Sequence, residues 1–506
     1  MIKQGLWFLL FLFSLSVNAT TISVALSSSP SNLSPFFNVD ANSQNLNRLI
    51  HTSLIDVDEN MEPVCRLCES FEERFDNGKQ ILKFTLKKGV KFWDAKEIKA
   101  IDIKRAHELF TDTKEIKSIF RFAFGRIKEV RVLSEYVVEL VYEEFKLDNI
   151  ANLVLFKILK LSRDWKEGRP EVTEIIGAGD YTPSHISELS IKLKALKPSL
   201  SDIEFKVVKD ETTLALKLIN NEIDVSFADI SARKFDWLKK RADHLAFYSR
   251  PSSNYKYLSP NHENEHLKEL NVRKALSHLI EREKIKLFKF KNNITLAKSL
   301  FSKDFPAIYQ NFSIDEYSPE KAKKLLEEIG YQRDEKGWHK NNRYIELNWI
   351  SNNNKSTIEL VKTMIKSFES FGLKINLTVQ EWGTFMKGIK KSNFDLVFAQ
   401  WVGFTGPEML EYVFHTKSFP PKGGNRGKYS NSKFDELVDK ASIETKKDKR
   451  NFYYKKALAI ANDDYSYINL WHPNHMLITR KCIDGLKIYP NGSFIGLNKL
   501  VSRCGN

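Results

Sequence analysis

Cysteine is scarce, with four residues in a chain of 506, so cross-linking cannot be the main support of the fold. Four are also too few, and wrongly spaced, for a structural zinc site, which needs two closely spaced pairs. Cys65 and Cys68 form the one close pair. A redox CxxC stands at the head of a helix, whereas this one leads into strand-like sequence, so the pair reads as structural. In an oxidising compartment, Cys65–Cys68 and Cys482–Cys504 are the expected bridges. Signatures of catalysis are missing too. No phosphate-binding glycine loop, HExxH, GxSxG or dinucleotide fingerprint occurs. Gly177-Ala178-Gly179 lacks the third glycine and reads as a turn. In His472-Pro473-Asn474-His475 the proline prevents helical spacing of the histidines, so no metal site is expected. Glu222 and Asp224 lack an evident partner. No cofactor is expected, and no enzyme.

Long apolar runs are absent after the first residues. The N-terminus carries Lys3, an apolar core from Leu6 to Phe13, and Val17-Asn18-Ala19 as a small-residue cleavage site. This is the pattern of a secretory signal peptide over residues 1–19. The core is shorter than the roughly 20 residues that span a bilayer. No cysteine follows the cut, which argues against a lipid anchor. A soluble periplasmic chain starting at Thr20 is expected. Lysine and arginine number 79 against 64 acids, a formal charge of +15. The bases are scattered among apolar positions rather than gathered in a block, so they read as a solvated surface and not as a nucleic-acid site. Aromatic residues make up 12% and hydrophobic residues 42%, the composition of a folded protein. The length implies two or three domains.

Periodicity then gives an α/β chain. Thr21–Leu26 reads as a strand. Leu82, Phe84 and Leu86 alternate with polar residues, and Val130 to Tyr142 does the same around a turn at Ser134-Glu135. A helix over Glu211–Asn220 lies between strand-like Ile203–Val207 and Ile223–Phe227, forming a β–α–β unit. Ser318-Pro319-Glu320 opens a helix that Gly330 ends. From Ile345 to Gln400 the order is strand, helix, strand, helix, strand.

In that order the segments resemble the bacterial extracellular solute-binding proteins of family 5, the dipeptide- and oligopeptide-binding proteins of ABC importers. Ser31–Pro35 is similar to the family's N-terminal loop, and Ile81–Phe92 with Ala100–Ile103 to its central signature. Gly177–Tyr181, Asn221–Val225, Val272–Leu276 and Ser318–Tyr331 follow in the family's order. The resemblance implies a two-lobed periplasmic-binding-protein clamp, class II-like, with an extra inserted domain, closing on its ligand by hinge motion. It places domain I at 20–42, 161–260 and 470–506, an inserted domain II at 43–160, and domain III at 261–469. It implies a monomer that binds a small molecule or oligopeptide and delivers it to an ABC permease in the inner membrane. A binding or sensory protein without a transporter, and a thiol redox protein, are the alternative classes.

Trp382 and Trp401 match two tryptophans that wall the pocket in peptide-binding members. Phe36, Phe37 and Asn38 follow the Pro35 loop, and Tyr255 and Tyr257 lie near the interlobe crossover. Gly423–Gly427 resembles a cleft-facing glycine loop, which makes Asn425 and Arg426 candidate ligand contacts. One departure matters. Where peptide-binding members carry Trp-x-x-Asp, with the aspartate holding the peptide's ammonium, this chain has Trp401-Val402-Gly403-Phe404. A phenyl ring cannot replace that counter-charge, so an N-blocked peptide, a muropeptide or another stacked oligomer is expected.

Overall fold

The computed structural model describes residues 21–162, 168–227, 230–403 and 406–504. The expected leader and its cut, and Phe404, lie outside them. The first strand, Ile22–Leu26, is buried along its whole length. Such a run, apolar apart from Ser23, suits the middle of a sheet covered on both faces. It pairs in parallel with Ile203–Val207 on one side and Val225–Ser226 on the other. The helix Glu211–Ile219 makes the crossover between these neighbours, and Asp210 caps it by accepting from the Thr213 amide. Val225–Ser226 is shorter than periodicity predicts. Strands 190–195 and 181–186 extend this half of the sheet outward.

The other half begins at Tyr255–Pro260 and continues through Leu396–Trp401, Glu346–Asn352 and Lys374–Gln380. The last three strands are mutually parallel, as their connecting helices Lys355–Phe371 and Trp382–Lys390 require. Trp338, Trp349 and Trp471 are fully buried in this half's core. Burying a side chain of that size contributes about 2–3 kcal/mol each.

One strand belongs to both halves. Ile468–Arg480 runs for 13 residues. Its first part pairs with Tyr255–Pro260 and Ile294–Leu296, and its second part with Leu245–Pro251 and Val225–Ser226. The chain passes the other way through Pro251–Tyr255, directly beside it. Two lobes are thus joined by adjacent antiparallel crossovers. Ser252 and Ser253, in the returning crossover, are buried, and the Ser252 amide donates to the Pro473 carbonyl at 2.8 Å.

A separate four-stranded antiparallel sheet, ordered 68–76, 79–86, 137–142, 127–134, carries the helix Ala100–Thr111 against it. Ile103, Ala106 and Phe110 meet Leu82, Phe84 and Leu140 there. That core continues without a break into Phe434, Tyr454 and Leu458 of the second lobe. The helix Ala41–Ile50 behaves differently: Leu46, Leu49 and Ile50 pack with Ile22 and Val24 of the first lobe. Disulfides join Cys65 to Cys68 and Cys482 to Cys504. Among the described residues no helix is long and apolar enough to cross a membrane.

Candidate functional site

The C-terminal ends of the parallel strands Ile22–Leu26 and Val225–Ser226 open into a cavity of about 980 Å³ beside the crossovers. This is where an open α/β sheet presents loops and has backbone groups to spare. The first lobe contributes Leu26-Ser27-Ser28, Phe227 and the start of the helix Ala41–Ile50. The second lobe contributes Val402 and Gly403, immediately after its strand Leu396–Trp401. Asn254 and the segment Asn474–Leu477 close the cavity from the crossovers themselves.

Six side-chain amides, Asn42, Gln44, Asn45, Asn254, Asn474 and Asn491, lie in this lining. Asn42 donates to the Ser28 carbonyl at 2.9 Å, and Asn45 to the Gly492 carbonyl at 3.1 Å. Asn254 accepts from the Gly403 amide at 3.3 Å, tying the crossover to the second lobe's loop. Gly403 has φ +66°, a left-handed conformation that glycine adopts without strain. Val39 and Val402 stand 67% and 62% exposed as apolar surfaces at the cavity. Asp40 is the one carboxylate in the described lining. Its Oδ1 accepts from the Ser43 amide at 2.9 Å and its Oδ2 from the Ser31 amide at 3.0 Å. Burial would raise its pKa, but these amides and the Ser31 and Ser43 hydroxyls hold it below the usual carboxylate value. No lysine or arginine lines the cavity among the described residues. The site therefore offers hydrogen bonds and apolar contact rather than charge.

None of the described residues singled out from the sequence lines this cavity. Phe36 is fully buried against Phe110, with ring centroids 4.7 Å apart. Phe37 packs against the same core with Arg169 over its ring, and Asn38 is buried. Tyr255 and Tyr257 stack on each other, and Tyr257 stacks on Tyr467 at 3.9 Å. Trp401 adds to that stack, donates to the Tyr467 hydroxyl at 3.3 Å and carries Arg426 over its ring at 4.6 Å. Trp382 begins its helix with 58% of its surface exposed, away from the cavity. Asn425 is a loop organiser: its amide donates to the carbonyls of Phe414, His415 and Tyr429 and accepts from the Tyr429 amide. Gly424 beside it must lack a side chain, since a Cβ there would stand 2.9 Å from the Trp401 ring.

Several lining residues are close chain neighbours of these candidates: Val39 and Asp40 follow Asn38, Asn254 precedes Tyr255, and Val402 and Gly403 follow Trp401. Strand alternation points to Asn254 and Val402, which adjoin strand ends, because a residue beside a core aromatic faces the other way; Val39, Asp40 and Gly403 lie in no strand. The lining at Asn491 and Gly492 carries no such signal. His472 and His475 sit in the shared strand. His472 is buried and donates from Nδ1 to the Asn254 carbonyl at 3.0 Å, and burial lowers its pKa to about 4. His475 Nε2 meets the Pro490 carbonyl at 2.8 Å. Among the described residues no three His, Cys, Asp or Glu side chains converge as a metal site.

Comparison with known proteins agrees with this architecture. The chain is 25% identical to the dipeptide-binding protein of Escherichia coli (strain K12), covering 97% of this chain and 96% of that one. Its fold matches NikA from Brucella suis, solved in complex with Fe(III)-EDTA, with a TM-score of 0.82 at 18% identity, over 96% of this chain and 100% of that one. It also matches the oligopeptide-binding protein AppA from Bacillus subtilis, solved with a nonapeptide, with a TM-score of 0.71 at 21% identity, over 96% and 99% of the two chains. Residues 62–420 match the sequence pattern of the middle region of the bacterial extracellular solute-binding proteins, family 5. With that match spanning most of its length, the chain belongs to the family 5 bacterial extracellular solute-binding proteins.

Proposed function

We propose that this protein captures a peptide or peptide-like oligomer in the 980 Å³ cavity and delivers it, as a monomer, to an ABC permease in the inner membrane. The reading is carried by a cavity whose walls come from both lobes at the crossovers, so that hinge closure encloses the ligand. The names of relatives, a dipeptide-binding protein and glutathione-binding proteins among them, support the ligand class. The protein acts by binding alone. It is exported, loses residues 1–19 and works in the periplasm. The sequence-based domain division is kept, except that the helix Ala41–Ile50 joins the first lobe because its apolar face packs there.

The lining narrows the ligand further. A buried terminal charge needs a counter-charge. The described lining has no lysine or arginine, its His475 meets the Pro490 carbonyl, and the oxygens of its single acid already accept hydrogen bonds. Together with Phe404 in the acid's place, this favours an oligomer that is uncharged where it meets the cavity, with a blocked amine. Calorimetry against free and N-acetylated peptide pools tests it. The acetylated pool is expected to bind at least as tightly. Tight binding of free-amine peptides that acetylation abolishes would overturn the reading and assign amine capture to Glu408 or another acid.

A further inference from the structure

A second cavity, of about 300 Å³, lies at the seam between the inserted segment and the second lobe. It shares no lining residue with the cleft. Its walls are apolar: Ile55, Val57, Ile150 and Val154 from one side, Phe305 and Ile308 from the other. Arg450, from the helix Lys447–Asp463, also lines it, and only 6% of this residue is exposed.

The bonding of Arg450 is incomplete. Nη1 donates to the carbonyls of Glu444 and Thr445 at 2.9 and 3.3 Å, and the guanidinium lies 5.2 Å from the centre of the Phe145 ring. Nε is buried with no partner. Among the described residues neither Nε nor Nη2 forms a hydrogen bond, and Arg450 forms no ion pair. The other charges at the cavity are engaged: Lys447 pairs with Glu62 at 2.8 Å, and Glu73 accepts from Gln80 at 2.6 Å. Glu408 also lies in the lining. A guanidinium withdrawn from water with no counter-ion is costly. Two carbonyls and an aromatic face offset part of that cost. Nε has almost no accessible surface, so Nη2 is the donor left for an anion in the cavity.

We propose that this seam is a second binding site, for a small monoanion with an apolar body: a medium-chain or aromatic carboxylate whose charge meets Arg450 and whose body fills the apolar walls. The volume accommodates roughly ten non-hydrogen atoms, at about 30 Å³ each. An occupant touches the inserted segment and the second lobe at once, and so holds the seam shut.

Calorimetry on the purified full-length mature protein with octanoate, 1-octanol and acetate tests the site. Octanoate is expected to bind one to one and at least tenfold tighter than either control, since octanol lacks the charge and acetate the body. Arg450→Gln is expected to weaken octanoate at least tenfold and to leave octanol unchanged. Ala151→Phe, which fills the cavity from its wall, is expected to abolish octanoate binding in a chain that still melts cooperatively. It decides the matter should Arg450→Gln fail to fold. The proposal is overturned by octanol binding as well as octanoate, by octanoate affinity that survives Arg450→Gln or Ala151→Phe, or by no octanoate binding to the folded protein at millimolar concentration.

Discussion

Histidines show how burial sets behaviour at the scale of a residue. Burial pushes His51 and His262 down to about 3 and His472 to about 4, from an ordinary value near 6.5. For His51 the nearby Lys157 and Arg66 add to the effect. All three are neutral in the folded chain. The unfolded chain takes up protons below pH 6.5 while the folded chain does not, so the unfolded state gains as pH falls from there toward 4. Each such group steepens the loss by about 1.4 kcal/mol per pH unit once pH is well below 6.5. Denaturant midpoints measured between pH 7.5 and 4.5 should therefore fall. His51 has no hydrogen-bond partner on either ring nitrogen, so His51→Leu is expected to flatten that dependence by about one proton with little loss at pH 7.5; an unchanged slope would show that His51 is not the group responsible. This scale was also the least legible from sequence. Aromatic residues were the natural candidates for a pocket wall. Trp401 matches a family pocket tryptophan, Phe36 follows the Pro35 loop, and Tyr255 and Tyr257 lie near the interlobe crossover, yet all four are buried and the cavity is lined by their small and amide-bearing neighbours. Composition tells an aromatic from an amide; it does not tell which face of a strand is covered.

Elements were far easier to read. The helix Pro319–Glu328 begins at its Ser318 cap and stops at Gly330, where φ is +86°. The strands from Glu346 to Trp401 alternate with helices as their periodicity implies. Those signals are local, carried by caps and by period, and need no knowledge of what packs where. The crossovers are not local, and Arg250 shows why. From the strand Leu245–Pro251 it donates to the Ile488 carbonyl at 2.7 Å and the Glu59 carbonyl at 3.2 Å, and it pairs with buried Asp304 at 3.2 Å. Three segments distant in sequence meet on one side chain. Arg250→Met strands Asp304 and is expected to cost about 1–3 kcal/mol, read as a lower urea midpoint with unchanged slope. A loss well under this range would mean that solvent takes over the clasp. The Cys482–Cys504 bridge closes a C-terminal loop 22 residues apart. Replacing both cysteines with serine is expected to cost about 2–4 kcal/mol, without altering affinity for the cleft ligand.

For the molecule as a whole, ligand and stability are one equilibrium. A ligand that binds only the folded, closed form adds about 2.7 kcal/mol at a hundred times its Kd. Thermal melting in the presence of the cleft ligand should shift upward with ligand concentration, and Asn254→Ala should weaken that shift, because Asn254 joins the crossover to Gly403. A concentration-dependent shift that Asn254→Ala leaves intact would remove this contact from the site.

The shared strand Ile468–Arg480 also bears on the order in which the molecule can be made. Its partners, from Val225 to Ile294, are all synthesised long before it. Until it arrives, Tyr255–Pro260 and Val225–Ser226 are each left with a vacant edge, and vacant edges invite mispairing. Neither lobe can then mature ahead of the other as the chain emerges from a ribosome or a membrane pore, and the polypeptide stays threadable almost to its last residues. A chain ending at Tyr467 is expected to lose near-ultraviolet circular dichroism from both lobes, rather than to keep one lobe folded and shed a tail.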